Sequence, residues 1–261
     1  MPNIAHRTSP DMRGEMAVSK SMKGIILCAG QGSRLLPLTL EMPKCLVKVQ
    51  GQEILLHQLS ALRAAGIHRA TVVIGYQHRQ VLAFLERTLP IEVFPVFNPF
   101  WSVASSIGSV WSAREHLAEP FCLMNGDTVF DAAMIAGAVR RTKPGVNLLV
   151  EETRDLEFDD MRVTVKADKV LAVSKALPTE TTTHRSLGVI LSDDTQGTYR
   201  KALDDVISAT DGHKAFHHAV IARLAQTAGV HAISRDPGAW QEIDRPEDME
   251  RWANIHREKA Q

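Results

Sequence analysis

The sequence carries no excess of charge of either sign. Its 261 residues include 30 lysines and arginines and 30 aspartates and glutamates, so the formal net charge is zero. A protein that binds nucleic acid along its surface is usually visibly basic. The balance therefore excludes nucleic acid as a general partner, and any phosphate chemistry must come from a local site.

Signals for membrane insertion and for secretion are also lacking. No apolar run approaches the ~18–20 residues that a helix needs to cross a bilayer. Residues 1–21 are polar and charged, and they lack the apolar core of a secretory signal. We therefore expect residues 1–21 to form a mobile N-terminal extension, and we expect a cytoplasmic protein with no membrane span.

Cysteine is scarce. The three cysteines, Cys28, Cys45 and Cys122, stand far apart, and each lies in or beside an apolar stretch. That spacing gives neither a disulfide framework nor a cysteine-rich metal site. Buried free thiols in a reducing compartment are the simpler interpretation.

The first half of the chain alternates short apolar runs with helical periodicities. The runs Gly24–Ala29 and Thr71–Gly75 have the composition of buried parallel strands. Gln52–Ala65 has apolar residues at helical spacing, and Gly66 follows as a stop. Such alternation indicates βαβ units. The sequence therefore predicts an α/β fold with a Rossmann-like, mostly parallel sheet and helices on both faces.

The pattern changes after Glu151. Segments 161–165 and 170–173 are strand-like, and residues 167–169 between them have the composition of a tight hairpin turn. They predict a smaller antiparallel addition to the sheet. We expect one domain over residues 22–256, made of the halves 22–150 and 151–256, and homodimer formation is left open.

The most specific local signal is the segment Leu27–Leu35, in which an apolar strand ends in Gly30-x-Gly32. Such an ending lets the backbone turn sharply and present amide groups to an anion. The segment is not a P-loop, because no Gly-Lys-Ser/Thr closes it. It is not a dinucleotide fingerprint either, because Leu35 occupies the position of the third glycine.

Two cations accompany this loop, Arg34 within it and Lys44 after Pro43. A triphosphate that is about to expel pyrophosphate requires several positive charges where negative charge develops. The alternative is an ordinary strand-to-helix turn with solvated surface charges. Because both cations stand at short, defined distances after the glycines, the triphosphate interpretation is favoured.

Residues Leu27–Leu46 resemble the signature of the nucleotidyltransferase superfamily of sugar-phosphate and phospho-alcohol pyrophosphorylases, approximately L-A-A-G-x-G-x-R-L-x-P-L-T-x-x-x-P-K-x-L. Cys28 replaces one small residue of that signature. The sequence is most similar to the LicC-like cytidylyltransferases, which act on phosphocholine and related phosphorylated or phosphonylated compounds. The other segments that carry the resemblance are Gly75-Tyr76, Asn125-Gly126-Asp127, Phe158–Val163, Val173–Lys175, Ser186–Val189 and Glu242–Asp244.

The resemblance implies a magnesium site and three catalytic cations. Asp127 and Asp244 match the residues that hold Mg²⁺ on the NTP phosphates, and Mg²⁺ prefers one or two carboxylates with waters and phosphate oxygens. Their alternatives are a turn residue for Asp127 and a helix cap for Asp244. Arg34 and Lys44 would face the NTP phosphates, and Lys175 would hold the phosphate of the acceptor.

The remaining candidates surround the two substrates. The residues expected to bind the nucleotide are Leu27, Ala29, Gly30, Gly32, Ser33, Gly75, Ser105, Ser106 and Asn125. Those expected to bind the acceptor are Asp159, Asp160, Lys175, Trp240 and Glu242. Ser105 and Ser106 also fit a serine-rich helix N-cap, and LicC-like proteins often carry asparagines there. His217 and His218 are adjacent on an expected helix, would point to different faces, and so argue against zinc.

The implied reaction is transfer of CMP from CTP, or of a nucleotide from another NTP, to a small phosphorylated or phosphonylated amine or alcohol, with release of pyrophosphate. Residues 22–150 would bind the NTP and residues 151–256 the acceptor. Asp159 and Asp160, with Phe158 beside them, favour a cationic acceptor; the alternative is a solvated acidic turn. Two other functions stay open: a sugar-1-phosphate nucleotidyltransferase using UTP, TTP or GTP, and a non-catalytic nucleotide-binding regulatory domain.

Overall fold

The computed structural model describes residues 22–153 and 155–258, and the extension predicted over residues 1–21 lies outside this range. The strands are β1 (Lys23–Cys28), β2 (Lys48–Val49), β3 (Gln52–Glu53), β4 (Arg69–Ile74), β5 (Glu92–Phe97), β6 (Phe121–Asn125), β7 (Thr128–Phe130), β8 (Val146–Glu152), β9 (Arg162–Lys166), β10 (Lys169–Ser174), β11 (His184–Ser192), β12 (His231–Ser234) and β13 (Trp240–Glu242). The α-helices are α1 (Leu38–Glu41), α2 (Ile54–Ala64), α3 (His78–Leu85), α4 (Ser106–Ser112), α5 (Ala132–Arg140), α6 (Thr198–Ile207), α7 (His218–Ala225) and α8 (Pro246–Glu258).

Nine strands form one sheet in the order β5-β4-β1-β6-β11-β8-β12-β10-β9. β1 lies between β4 and β6 and is parallel to both. Its residues alternate between two cores: Ile26 packs under α2, α3 and α5, and Ile25 under α4, α6 and α7. The carboxyl ends of β1, β4 and β6 therefore share one edge, where open α/β sheets bind ligands. The predicted α/β fold with helices on both faces is confirmed.

The antiparallel strands are continuous with the parallel ones. β11 lies between β6 and β8 and is antiparallel to both, while β9 and β10 form the predicted hairpin at the far edge. Ala167 and Asp168 connect these two strands with φ angles of 48° and 61°, the left-handed backbone of a two-residue hairpin turn. The second half of the chain thus extends the same sheet.

Two helices are shorter than their periodicity predicts. The sequence pattern predicts helices over residues 105–117 and 213–228. In the structure the first ends at Ser112, and the second begins only at His218. Ala215 has an extended backbone, with φ −71° and ψ 146°, which interrupts the second helix. Among the described residues, none of the helices combines the length and apolar character needed to span a bilayer.

A small third core fixes the segments around the glycine-rich loop. Leu35 of the loop, Val129 of β7, Ile243 after β13 and Trp252 of α8 are buried together. This core ties the C-terminal helix to the loop after β1.

The three cysteines are free and buried, as predicted.

Candidate active site

Strand pairing brings the two predicted metal carboxylates together. Asp127 lies between β6 and β7, and Asp244 follows β13. β13 is antiparallel to β7, with Glu242 opposite Thr128. The backbone N–H of Ile243 donates to the carbonyl oxygen of Asp127 at 2.9 Å. Both carboxylates therefore lie at the ligand-binding edge of the sheet.

Lys44 bridges these two carboxylates. Its Nζ lies 2.9 Å from Asp127 Oδ2 and 2.5 Å from Asp244 Oδ1, and the residue is 9% exposed. Burial alone would lower the pKa of Lys44, but the two carboxylates raise it above its ordinary value. Burial would likewise raise the pKa of Asp127, but Lys44 holds it below its usual range. Lys44 and Asp127 are therefore charged at neutral pH.

The glycine-rich loop packs directly on the stem of this lysine. Gly32 has a φ of +71°, and a Cβ on it would lie 2.8 Å from the Lys44 side chain. Only glycine combines that backbone angle with such a close approach at low cost. Gly32 therefore sets how deeply Lys44 reaches between the carboxylates.

Arg34 adds a second cation to the cluster. Its Nη2 lies 2.7 Å from Asp244 Oδ2, and its Nη1 donates to Asp159 Oδ2. Burial acts to raise the pKa of Asp159, and Arg34 outweighs it and lowers that pKa. The Arg34 side chain is 47% exposed, so these ion pairs contribute little to stability. The guanidinium remains accessible to an anionic ligand.

The donor set fits Mg²⁺. Asp127 and Asp244 direct carboxylate oxygens at a common point, which the ammonium of Lys44 marks. Magnesium is held in proteins by one or two carboxylates together with waters and substrate phosphates. Across residues 22–153 and 155–258, no group of three or more His, Cys, Asp or Glu is placed to hold a metal. A metal at Asp127 and Asp244 would thus depend on a bound phosphate for further ligands.

A cavity of about 270 Å³ opens beside this cluster. The nucleotide-binding candidates that line it are Leu27, Ala29, Gly30, Ser105, Ser106 and Asn125. Gly32 and Ser33 instead line an adjoining cavity of about 240 Å³ that contains Lys44. Gly75 stands behind the wall, where a Cβ would come within 2.6 Å of Trp101. Its role is to let Trp101 approach and close the first cavity.

A further cavity, of about 300 Å³, is here called the acidic cavity. Four of the five acceptor candidates line it: Asp159, Asp160, Trp240 and Glu242. It shares Arg34, Asp159, Glu242 and Asp244 with the first cavity. Its walls carry seven carboxyl groups against four guanidinium groups. Burial, with the neighbouring Asp127 and Asp244, raises the pKa of Glu242 to about 8, and negative charge still predominates when Glu242 is protonated.

An ion-pair network holds the aromatic wall of this acidic cavity. The Arg185 guanidinium stands 4.8 Å from the centre of the Trp240 ring. Arg185 also pairs with Glu151 at 2.7 Å and with Asp160 at 3.5 Å. Arg235 holds the other oxygen of Glu151 at 2.5 Å. Arg185 therefore holds both Trp240 and Asp160 in place.

Phe158 does not take part in the site. Its side chain is 96% exposed, and neither cavity is lined by it. The expectation that Phe158 contacts a bound ammonium is wrong, because the residue lies on a turn that directs it to solvent. Trp240 is the aromatic residue that lines the acidic cavity.

Lys175 lines the first cavity, together with the acceptor candidates Asp159 and Glu242, and it does not line the acidic cavity. It follows β10, and its Nζ stands 4.8 Å from the centre of the Phe216 ring. Phe216, His217 and His218 continue this wall. The three residues were not predicted to line a site, since the sequence offered only an adjacent histidine pair as a signal.

The two histidines lie side by side, and the expectation of different faces is wrong. Their ring centroids are 4.3 Å apart, and they are 2% and 5% exposed. His217 immediately precedes the first residue of α7, and both rings line the first cavity. One wall of the first cavity therefore carries both.

Ser106 contacts one of these histidines. Its Oγ accepts a hydrogen bond from the His217 backbone N–H at 2.9 Å and lies 3.1 Å from His217 Nδ1. Ser105 precedes α4 but makes no side-chain capping bond. The hydroxyl of Ser106 thus positions His217.

A buried glutamine that the sequence did not single out supports the Asp127 loop. Gln58 of α2 is 1% exposed, and its Nε2 donates to the carbonyl oxygens of Asn125, at 2.5 Å, and Thr128, at 2.9 Å. It therefore clamps both ends of the turn that carries Asp127. A lone glutamine in an amphipathic helix gives no local sign of such a role.

A glycine-rich loop, two cations and two carboxylates at the edge of this sheet define a nucleotide-binding α/β protein of the NTP transferase class. The model of the MobA-like NTP transferase domain matches residues 24–241, and the chain belongs to this family. The predicted superfamily is therefore confirmed.

Two curated relatives differ in their substrates. Mannose-1-phosphate guanylyltransferase catalytic subunit beta of Drosophila melanogaster is 35% identical over 128 residues, which are 46% of this chain and 34% of the relative. CMP-5'-(3-aminopropyl)phosphonate synthase of Streptomyces rubellomurinus is 31% identical over 132 residues, 47% of this chain and 21% of the relative. The matches thus span about a third or less of these relatives.

Solved structures agree with the fold over nearly the whole chain. CTP:phosphocholine cytidylyltransferase from Streptococcus pneumoniae (LicC) has a TM-score of 0.75 at 20% identity, covering 90% of this chain and 99% of that one. The inositol-1-phosphate CTP transferase from T. maritima has a TM-score of 0.72 at 22% identity, covering 88% and 92%. At these identities the likeness concerns the fold alone.

Proposed function

We propose that this protein transfers a nucleoside monophosphate from an NTP to a small acceptor that bears a phosphate or phosphonate, with Mg²⁺, and releases pyrophosphate. The position of Lys44 between Asp127 and Asp244, beside the glycine-rich loop, carries this proposal. A metal–triphosphate complex needs such carboxylates together with cations where negative charge develops. Membership in the family supports the same class of reaction.

The reaction forms a bond from an acceptor oxygen to the α-phosphorus. The bond from that phosphorus to the pyrophosphate oxygen breaks, and its electron pair leaves with pyrophosphate. An ionised phosphate or phosphonate is already nucleophilic, so no general base is required. Arg34 and Lys44 neutralise the NTP phosphates, and Lys175 holds the phosphate of the acceptor. Mg²⁺ at Asp127 and Asp244 supplies further charge neutralisation when bound.

Nucleotide binding rearranges the Lys44 cluster in this proposal. Lys44 contacts both Asp127 and Asp244, so its ammonium would release at least one carboxylate if these residues held a metal. Lys44 also lines the cavity that contains the glycine-rich loop. Its ammonium would therefore be available to the phosphates of the nucleotide.

We further propose CTP as the donor and a cationic acceptor, such as phosphocholine or an aminoalkyl phosphonate. The acidic cavity supports this choice, because its carboxyl groups outnumber its guanidinium groups by seven to four and attract an ammonium by Coulomb forces. Trp240 lines the same cavity, and an ammonium there would share its ring with the Arg185 guanidinium, which stands 4.8 Å from the ring centre. The aminopropyl phosphonate named for the Streptomyces relative has this chemistry.

A sugar-1-phosphate nucleotidyltransferase is the second candidate. The mannose-1-phosphate guanylyltransferase of Drosophila melanogaster favours it, at 35% identity. A sugar would be held by neutral hydrogen-bonding groups, of which Gln241 lines the acidic cavity and Asn125 the first cavity. A non-catalytic binding domain is disfavoured, because such a domain has no need of Asp127 and Asp244 in contact with one cation.

Pyrophosphate release tests the proposal across CTP, UTP, GTP and TTP with phosphocholine, an aminoalkyl phosphonate, glucose-1-phosphate and mannose-1-phosphate. We expect the highest kcat/KM with CTP and a cationic acceptor, and weaker use of that acceptor in Asp159→Asn and Asp160→Asn. Preference for a sugar phosphate with another NTP would favour the second candidate. No release from any pair would contradict nucleotidyl transfer by this chain.

A further inference from the structure

His217 and His218, here called the histidine wall, form a buried polar part of the first cavity. The proposed acceptor lysine, Lys175, lines the same cavity, and its Nζ stands over the ring of Phe216, which directly precedes the wall. A ligand phosphate held by Lys175 would therefore lie in the space that the histidine wall borders.

The contacts of Ser106 favour one tautomer of His217. Ser106 Oγ accepts the backbone N–H of His217 at 2.9 Å, and this leaves its own proton free to donate to Nδ1 at 3.1 Å. A neutral ring that accepts at Nδ1 carries its proton on Nε2. Burial lowers the pKa of His217 to about 4, so the ring is neutral at pH 7.

The Nε2 atom of His217 has no hydrogen-bond partner among the described residues, although it is buried. A buried polar atom without a partner is costly, and native proteins rarely leave one. The residue is 2% exposed and belongs to the wall of the cavity. Its Nε2 is therefore a polar atom of the cavity wall that no described residue satisfies.

The neighbouring His218 is already engaged and serves as an internal contrast. Ser186 Oγ accepts the backbone N–H of Gly188 at 3.1 Å and lies 2.9 Å from His218 Nε2. The corresponding ring atom of His218 is thus used within the protein. Of the two Nε2 atoms in the histidine wall, only that of His217 is left for a ligand.

We infer that His217 is a specificity-determining residue whose Nε2–H donates a hydrogen bond to a phosphate or phosphonate oxygen of the acceptor. This inference rests on the proposed function and deepens it. Lys175 supplies charge, and the imidazole supplies a directed donor, because a hydrogen bond from Ser106 to Nδ1 places the ring proton on Nε2. A site with a buried donor discriminates against ligands that offer no acceptor atom at that point.

Two substitutions separate the donor from the ring. His217→Phe keeps a flat ring and removes the donor, whereas His217→Gln places an amide N–H near the position of Nε2. We expect His217→Phe to raise the KM for the acceptor by roughly tenfold or more and to leave the KM for CTP nearly unchanged. His217→Gln should recover most of the loss. His213→Phe, at an exposed position of the preceding turn, is the matched control and should behave as wild type.

The kinetic outcomes decide between the acceptor and other roles. A rise in the KM for CTP with no change for the acceptor would overturn the inference in favour of nucleotide contact. Equal losses in His217→Phe and His217→Gln would also overturn it, because a purely structural role does not depend on a donor.

Imidazole ¹⁵N–¹H spectra of the full chain test His217 independently of turnover. We expect an Nε2–H tautomer in the wild type, its loss in Ser106→Ala, and a shift of the Nε2–H signal on addition of methylphosphonate. An Nδ1–H tautomer, or no shift with methylphosphonate, would overturn the inference. Absence of pyrophosphate release in the wild type would contradict the proposed function, and these spectra would still decide the role of His217.

Discussion

Lys44 Nζ lies 2.5 Å from Asp244 Oδ1, although 200 residues separate the two in the sequence. The third hydrophobic core and the pairing of β13 with β7 make this contact, since they fold the end of the chain over the loop after β1. The cation of the phosphate loop and a carboxylate of the proposed metal site are thus one unit. Changing either should affect use of the nucleotide.

The metal carboxylates are the first target. Asp127→Asn and Asp244→Asn should each lower kcat by at least roughly 100-fold, because each removes a magnesium ligand. EDTA should abolish pyrophosphate release and added Mg²⁺ should restore it. Asp205→Asn, at an exposed ion pair on α6, is the control. Full activity in EDTA, with both variants near wild type, would contradict the assignment.

The two loop cations should act on the NTP. Lys44→Met and Arg34→Met remove positive charge that faces the phosphates, so we expect a KM for NTP raised by roughly tenfold or more. The KM for the acceptor should change less. Steady-state kinetics with each substrate varied in turn measure both values. If Lys44→Met raised only the KM for the acceptor, Lys44 would belong to the other substrate.

Gln58 should act through the loop that it clamps. Gln58→Leu keeps the size of the side chain but removes both hydrogen bonds to the Asn125–Thr128 turn. We expect a loss of about 1–3 kcal/mol in the free energy of unfolding and a lower kcat at an unchanged KM for the acceptor. Urea denaturation and kinetics check the two effects. Gln196→Leu, at an exposed position shortly before α6, should alter neither.

The buried His217 predicts a pH dependence of stability. Its pKa falls from an ordinary 6.5 to about 4 on folding, mainly through burial, so the unfolded chain binds more protons between these values. The contribution of neutral His217 to the free energy of unfolding should therefore be fully present above about pH 6.5. It should decrease as the pH falls towards 4. The contribution is on the order of 3 kcal/mol. His218, whose pKa burial also lowers, acts in the same direction.

Urea denaturation across this pH range measures that dependence. His217→Phe should show a shallower loss of stability at low pH than the wild type, because one of the two groups no longer takes up a proton on unfolding. Identical slopes for the two proteins would contradict a neutral, buried His217.

Local patterns were sufficient for the parts of the fold that depend on local sequence. The buried strands β1 and β4, the glycine-rich loop and the β9–β10 hairpin all follow from runs of a few residues. The position of β11 inside the sheet does not, because pairing with β6 and β8 joins distant segments. The same holds for the β7–β13 pair, which decides where Asp244 lies.

The candidate site divides in the same way. Arg34 and Lys44 were found through a spaced signature, and Asp127 and Asp244 through the resemblance to the superfamily. The structure brings all four into contact. His217 was not predicted, since its partner Ser106 is 111 residues away and a break before α7 redirects its ring. No local pattern encodes either fact.

Transfer of label from CTP tests the central claim most directly. With wild-type protein, Mg²⁺ and a phosphorylated or phosphonylated amine, we expect label in the α-phosphate to move into a product joined to the acceptor. Label in the γ-phosphate should appear only in pyrophosphate, and Asp244→Asn should give neither product. Release of γ-label as inorganic phosphate, or its transfer to the acceptor, would contradict nucleotidyl transfer.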